Sequence, residues 1–357
     1  MHTGLALYGD LDGKSGGFRY DRRLVAELRA VGDTVDVISL PRRSYPRGLL
    51  DNLSPSVSDR LTGTFDVLLE DELAHPSLVR ANHAVSCPVV SIVHHLRADE
   101  QRRLTPLYQA VERRYLDTVD AAVCNSEATR ESVLATSSLS RDRTLVAPPA
   151  GDKFAPTVSS AEIDRRAYTD PFQVVFVGNI EPRKGLDTLT AGLTQVESPW
   201  QLTVVGRAVD QRYRDRVETQ LAAAGRADQV TFEGRLPNSE LAAVLRSGHV
   251  LAMPSRHEGF GIAYLEGMSF GLPALATTAG GATEIVTDGE TGVLVPPDDP
   301  DAIADALASL ATDRDRLARM GRRARRRYDD HPDWSETAER VRTFLTELAG
   351  RRRVEVS

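Results

Sequence analysis

Lysine is almost missing from this 357-residue chain. Lys14, Lys153 and Lys184 are the whole complement, although lysine and arginine together number 44. A lysine kept among so many arginines offers a compact ammonium in place of a planar fork, so each is worth locating. Cysteine is as scarce. Cys87 and Cys124 each stand beside a strand-like run, which excludes a disulfide framework and fits free thiols in a reducing cytoplasm. No apolar run approaches the roughly 18 residues that a membrane-spanning helix needs. The first ten residues carry no cationic segment leading into a long apolar one, so they read as a first strand and not as a secretion leader. Cationic excess is absent too: the formal net charge of −7 argues against general nucleic-acid binding. No His/Cys/Asp cluster has metal-ligand spacing along the chain, so neither a metal nor another cofactor is expected.

What is present is alternation. A chain of 357 residues exceeds one compact core and implies two domains. Leu5–Tyr8, Val35–Leu40, Asp66–Leu69, Val89–His94, Ala121–Cys124 and Leu145–Ala147 read as strands, mostly apolar throughout, as buried parallel strands are. Tyr20–Arg29 lies between the first two and carries the apolar stripe Leu24, Val25, Leu28 of a helix. Polar residues 157–170 read as a linker. The pattern then restarts, with strands at Val174–Val177, Leu202–Val205, Val230–Phe232, Val250–Met253, Pro273–Thr277 and Gly292–Val295. Helices are expected at Leu186–Val196, Tyr213–Ala224, Ser239–Arg246 and Ile262–Phe270. Such alternation gives parallel sheets with right-handed crossovers, hence two doubly wound α/β domains with ligands at the carboxyl ends of the strands. The tail is helical and basic around Arg322–Arg327, and one more amphipathic helix follows at Ser335–Leu348.

Several strand ends carry chemistry. The run Val250–Pro254 empties into Ser255-Arg256-His257-Glu258-Gly259-Phe260-Gly261, and the helix after it carries Glu266 in an apolar stretch. Two carboxylates eight residues apart, one in a glycine-rich loop and one inside the following helix, are poor packing residues and need partners. The helix start offers backbone donors to an anion. Acceptors for hydroxyls beside donors for phosphate suit a nucleotide sugar. Phe176–Gly185 is a strand, a turn and a helix start that places Arg183 and Lys184 where a diphosphate can be gripped, so that charge developing on a departing nucleotide is neutralised without a metal. Gly234-Arg235-Leu236-Pro237 ends another strand, and taken alone is an ordinary capped loop. Gly280-Gly281 permits close backbone approach to a ligand, or marks a turn. Gly13-Lys14-Ser15-Gly16-Gly17 has neither P-loop nor Gly-x-Gly-x-x-Gly spacing. Val93-His94-His95 ends a buried strand, where a histidine either serves the structure or donates to a sugar hydroxyl. Glu70-Asp71-Glu72 with His75 forms a second polar cluster, also readable as an acidic helix start.

Taken together, these segments resemble the retaining glycosyltransferases of family 4, with the GT-B fold. The resemblance spans nearly the whole chain and is strongest from Val174 to Pro297. It rests on Pro-Ser-Arg-His-Glu-Gly-Phe-Gly through Leu-Glu-Gly-Met-Ser-Phe-Gly-Leu-Pro, then Gly-Gly-Ala-Thr-Glu-Ile-Val and Asp-Gly-Glu-Thr-Gly-Val-Leu-Val. It implies two Rossmann-like domains facing a deep interdomain cleft: an acceptor-side domain over residues 1–165, completed by a returning helix at 335–357, and a nucleotide-sugar domain over 166–334. By the same resemblance Glu258 accepts from hydroxyls of the donor sugar and Glu266 holds the ribose. Gly259, Phe260 and Gly261 lie along sugar and diphosphate, Lys184 grips the diphosphate, and Arg235 and Leu236 flank the base. Gly16 and Gly17 close over the phosphates, and His94 touches the sugar, with the register left open by one to His95. Many relatives carry an arginine directly after the glycine of the basic turn. Here Asn179 stands there, and Arg183 is the candidate to supply the missing charge.

The activity implied is metal-independent transfer of a hexose-type sugar, with retention, from a UDP- or GDP-sugar to a hydroxyl of a glycan, a lipid-linked or a small-molecule acceptor. A cytoplasmic enzyme is expected, with peripheral contact at the inner face of the membrane if the basic segment Arg102-Arg103, Leu104, Leu107, Val111, Arg113-Arg114 rests on anionic lipid. Two alternatives stand beside it: a nucleotide-sugar epimerase of similar fold, and a non-catalytic nucleotide-sugar-binding subunit.

Overall fold

The computed structural model describes residues 1–13, 16–100 and 105–356. Lys14 and Ser15 of the first glycine-rich loop, and Arg102, Arg103 and Leu104 of the basic segment, lie outside the described residues. Among those described, twelve strands form two six-stranded parallel sheets. The first comprises β1 (His2–Tyr8), β2 (Thr34–Leu40), β3 (Val67–Asp71), β4 (Val89–Val93), β5 (Ala121–Cys124) and β6 (Thr144–Val146), in the order β2-β1-β3-β4-β5-β6. The second comprises β7 (Phe172–Val177), β8 (Trp200–Val205), β9 (Val230–Gly234), β10 (Val250–Ala252), β11 (Ala274–Thr277) and β12 (Gly292–Val295), in the order β12-β11-β10-β7-β8-β9. Both orders reverse beside their first strand, at β1/β3 and at β7/β10. These are the switch points at which doubly wound sheets open a crevice beyond the strand ends.

Burial explains why the strands read as apolar runs. In β1, Leu5 and Leu7 face one core, with Leu69, Val90, Ile92 and Val123. Ala6 faces the other, with Leu68, Val89, Val93 and Ala122. Both faces of the sheet are covered, so neither face needs polar residues. The last helix, Trp334–Val356, buries Trp334, Ala338, Val341, Leu345 and Leu348 in the same core as the helix Gly16–Ala30. Their alternating four- and three-residue steps keep one stripe inward. Arg342 bonds Asp33 at 2.7 Å, and the Trp334 ring meets Tyr20 edge-on.

The chain divides into one unit of Met1–Ala150 with Pro332–Ser357 and another of Gly151–His331. The division falls at Gly151 and not after residue 165, and its physical reason is visible. Residues 157–170, expected as a linker, contain the helix Ser160–Ala167, capped by Ser159 and burying Ile163 and Ala167. Arg166 donates to the carbonyls of Phe270 (3.0 Å) and Gly271 (2.9 Å), and the Phe154 ring packs edge-on against Phe270. This segment is therefore welded to the second sheet's helices. In the first unit, Leu107 is 53% exposed on the helix Thr105–Leu116, whose last turn carries Arg113 and Arg114. Among the described residues no helix is long and apolar enough to cross a membrane.

Candidate functional site

In the second unit Arg183, Lys184 and Glu258 come together at the β7/β10 switch point. After β7 the chain makes one turn of 3-10 helix, Pro182–Lys184, and enters the helix Leu186–Leu193 through Gly185. Gly185 has φ +69°, and a Cβ there would lie 2.1 Å from the carbonyl oxygen of Pro254. Only glycine lets the β7 and β10 loops touch here. They are also bonded: Arg256 N donates to Arg183 O at 2.8 Å, and the Arg256 guanidinium reaches Pro182 O, Asp298 and both oxygens of Asp187. Arg256 thus clamps the basic turn to the glycine-rich loop.

Across this seam Lys184 Nζ lies 2.5 Å from Glu258 Oε2, and Ser255 Oγ donates to the same oxygen at 3.2 Å. The two side chains are only 12% and 13% exposed. Burial pushes the Glu258 carboxyl up, but Lys184, Arg183 and the bonds from Lys184 and Ser255 outweigh it and hold the group below its ordinary value. Arg183 donates to His257 O at 3.3 Å and pairs with Glu181 at 3.0 Å, so it faces the same loop. Asn179 is exposed.

The loop is built to stay put. Tyr264 donates to Met253 O at 2.6 Å and Thr277 to Ser255 O at 2.6 Å. Phe260 is buried, its ring against His331. Gly261, at φ +94°, turns the chain into the helix Ile262–Ser269. Tyr264, Leu265 and Met268 bury the sides of that helix, and Glu266 among them is 5% exposed. Its partner is Lys153, whose ammonium stands 3.5 Å from Glu266 Oε2 and over the Phe154 ring. No local pattern marks this pair, because 113 residues separate its members. Both described lysines are thus paired to the two carboxylates eight residues apart.

The sequence leaves Gly280 and Gly281 open to two readings, approach to a ligand or a turn, and the close contact seen is with backbone of the neighbouring loop. A Cβ at Gly280 would come 2.2 Å from Glu258 O, and one at Gly281 would come 2.4 Å from Gly259 O. Gly281 N donates to Glu258 O at 2.8 Å. Their close approach is to the loop's own backbone. Arg235 is exposed and Leu236 rests on the core. They follow β9, the edge strand two places from β7, roughly 10 Å away at the usual strand spacing.

In the first unit, Gly16 and Gly17 are the first residues of the helix Gly16–Ala30, which starts four residues before its expected beginning. A Cβ at Gly17 would strike the His94 ring at 2.7 Å. His94 follows β4. Its N–H donates to Glu72 at 3.2 Å, Asn125 donates to its carbonyl at 2.8 Å, and its ring meets Tyr20 edge-on. His95 beside it is half-buried. The Glu70–Glu72 cluster resolves into separate tasks. Asp71 caps the turn Glu72–Ala74 by accepting from Leu73 N at 3.0 Å. Burial pushes Glu70 up to about 7 against bonds from Asn82 and Tyr115. Burial pulls His75 down to about 4.

Among the described residues, Asp21, Asp71 and His94 bring donor atoms within 4.8 Å of one another. They come from a helix and two strand ends, so spacing along the chain could not reveal them. Charge within the set is balanced internally. Burial alone would depress His94, but Asp21, Asp71 and Glu72 reverse this and lift the imidazole to about 9.

With this geometry in hand, comparison with known proteins is direct. Residues 15–152 match the model described as Glycosyltransferase Family 4, and residues 161–327 match Glycosyl transferases group 1. The phosphatidyl-myo-inositol mannosyltransferase of Mycobacterium leprae is 30% identical over 323 residues, 85% of this chain and 81% of that protein. The D-inositol 3-phosphate glycosyltransferase of Nocardia farcinica is 32% identical over 271 residues, 71% of this chain and 59% of that one. The GDP-mannose-dependent alpha-(1-6)-phosphatidylinositol monomannoside mannosyltransferase of Mycobacterium tuberculosis is 32% identical over 257 residues, 68% and 66%. The match thus spans about three fifths to two thirds of the latter two. Sucrose-phosphate synthase from Thermosynechococcus elongatus superimposes with TM-score 0.82 at 23% identity, covering 98% of this chain and 99% of that one. The fold is GT-B. The chain belongs to the glycosyltransferases of family 4.

Proposed function

We propose that the chain transfers a hexose-type sugar from a UDP- or GDP-sugar to a hydroxyl acceptor, with retention at the anomeric carbon and without a metal. The observation that carries this reading is the Lys184–Glu258 pair at 2.5 Å on the β7/β10 switch point. One cation for a diphosphate and one ionised acceptor for sugar hydroxyls stand side by side, on loops fixed to each other by Arg256. Glu266 takes the ribose diol. The Arg235-Leu236 segment, two strands along, suits a base lying beyond the diphosphate. His94 is assigned the sugar contact, and Gly16-Gly17 at a helix start is assigned the phosphates.

In this mechanism the leaving diphosphate is stabilised electrostatically by Lys184, with Arg183 behind it. Its departing oxygen takes the proton of the incoming hydroxyl on the same face, so the new bond forms where the old one broke. The names of the mycobacterial and Nocardia relatives support a mannose-type donor and an inositol-containing acceptor. A lipid-linked acceptor would give the exposed Leu107 a membrane to rest on.

The test is product stereochemistry. The purified protein is incubated with UDP-glucose, UDP-galactose or GDP-mannose and a panel of inositol, inositol phosphate and phosphatidylinositol acceptors, and the anomeric coupling is read by NMR. A product with the donor's configuration is expected. An inverted product, or strict dependence on an added divalent metal, contradicts the reading. Altered sugar configuration with donor alone would mark an epimerase instead, and donor binding with no turnover on any acceptor would mark a non-catalytic subunit.

A further inference from the structure

Asp21 sits where the helix Gly16–Ala30 should carry an apolar residue. Its neighbours on the buried face are Phe18, Tyr20, Leu24, Val25 and Leu28, and Asp21 itself is 0% exposed. Neither of its carboxylate oxygens has a hydrogen-bond partner. Among the described residues its charged neighbour at ion-pair distance is His94 Nε2, at 3.4 Å, which is likewise buried without a hydrogen bond. A buried unpaired carboxylate costs several kcal/mol in general, and helix formation asks for no acid in this third turn-facing position. Asp71 and Glu72 differ, because each also accepts from a backbone N–H. Among the described residues Asp21 has no such backbone donor.

We propose that Asp21 is a positioning residue that holds His94 as an imidazolium in a fixed orientation. The inference rests on the reading of His94 as a sugar contact. With Nε2–H turned to Asp21, a neutral ring would leave Nδ1 as an acceptor. The second proton makes Nδ1–H a donor instead, suited to a sugar hydroxyl oxygen. Among the described residues, the charged and titratable groups that face the ring are Asp21 and Tyr20 from the helix, Asp71 from the end of β3 and Glu72 from the turn after it. Three acids around one imidazole favour the cation. Burial and the Asp21 charge push Asp71 well above its ordinary value. Gly17 closes against the Cδ2–Nε2 edge of the ring, where any Cβ would lie 2.7 Å from Cδ2 and 3.1 Å from Nε2.

The experiment is an NMR titration of the His94 ring in the full chain, assigned by comparison with His94→Gln, on the wild type, Asp21→Asn and Asp21→Glu. The wild-type ring should titrate well above 7. Asp21→Asn should lower its proton affinity at least tenfold, about one pKa unit, and Asp21→Glu should restore part of it. In turnover assays the alkaline limb of kcat should move to lower pH by the same amount in Asp21→Asn, with KM changing less than kcat. A wild-type ring that titrates at or below 6.5, an unshifted ring in Asp21→Asn, or one equivalent of Zn²⁺ or Mn²⁺ bound by the wild type and lost in Asp21→Asn would overturn the proposal. Should Asp21→Asn not fold, the wild-type titration and Asp71→Asn decide it. The ring titration needs no transfer activity, so a shifted ring in a protein that transfers nothing would sink the transferase reading and not this pairing.

Discussion

Gly280 lies so close to Glu258 that a Cβ on the glycine would come within 2.2 Å of the glutamate's carbonyl oxygen, at a backbone φ of +73°. The loop that presents the Glu258 carboxylate is therefore shaped from behind by a residue 22 positions later that has no side chain. Gly280→Ala should lower turnover at least tenfold, since misplacements of about 1 Å can cost roughly a hundredfold. Gly289→Ala is the control. Its φ is +71° with nothing within 4 Å of the new Cβ among the described residues. It should cost about 1–3 kcal/mol in stability and leave kcat unchanged in the surviving protein. Steady-state kinetics and chemical denaturation of both variants check the contrast.

Lys184→Ala should reduce kcat by about a hundred- to a thousandfold at saturating donor, the usual range for one lost transition-state donor. Turnover near wild type would remove Lys184 from the mechanism.

The same substitution has a consequence for pH. In the folded protein Glu258 titrates below its ordinary 4.5, so the stability it contributes is fully present above pH 4.5 and is lost as pH falls through the lower folded value. Without Lys184 the strongest opposing charge is gone, and the burial that raises this carboxyl gains weight. The acid loss of stability should therefore move to higher pH in Lys184→Ala. Urea denaturation between pH 3 and 7 measures this. An unchanged acid limb would mean that Lys184 does not hold Glu258 ionised.

Lys153→Met keeps most of the stem that lies over Phe154 and removes the charge 3.5 Å from Glu266. Loss of a charge-assisted contact of about 1.5–3 kcal/mol predicts donor affinity about ten- to a hundredfold weaker. Fluorescence or calorimetric titration with the nucleotide diphosphate checks it. Binding within twofold of wild type would make Lys153 a surface lysine only.

Leu345 is fully buried in the stripe that docks the last helix on the first unit. Leu345→Ala should destabilise by about 2–5 kcal/mol and, because the first sheet's core is affected, lower the thermal midpoint without altering the second unit's affinity for nucleotide.

The strands were legible because most are covered on both faces and read as apolar runs, while the edge strands β2 and β9 keep polar, exposed positions; β5 and β12 begin and end where the residues alone place them. The Lys184, Glu258 and Glu266 positions were legible because strand-end loops carry binding groups and an acid in an apolar helix is conspicuous. Helix starts at glycine were not, and Gly16-Gly17 was taken for loop. The domain boundary was missed because Ser160–Ala167 buries only Ile163 and Ala167, too little to give a periodic signal. Lys153, Arg256 and Asp21 were invisible for a shared reason. Each acts through a partner at least 69 residues away or in a separate element, and no local pattern encodes such pairs. The purpose of Gly280-Gly281 stays open between ligand approach and turn in the sequence for the converse reason, since a glycine shows that something comes close and never what.

The most direct test of the central claim is a thermal-shift panel of UDP-, GDP- and ADP-sugars on the wild type, Lys184→Ala and Glu266→Ala. A ligand that binds the folded state at a hundred times its Kd stabilises by about 2.7 kcal/mol. The wild type should therefore be raised clearly by at least one UDP- or GDP-sugar, and both variants much less by the same compound. No shift with any nucleotide sugar, or equal shifts in all three proteins, would contradict a donor site built on these carboxylates and their lysines.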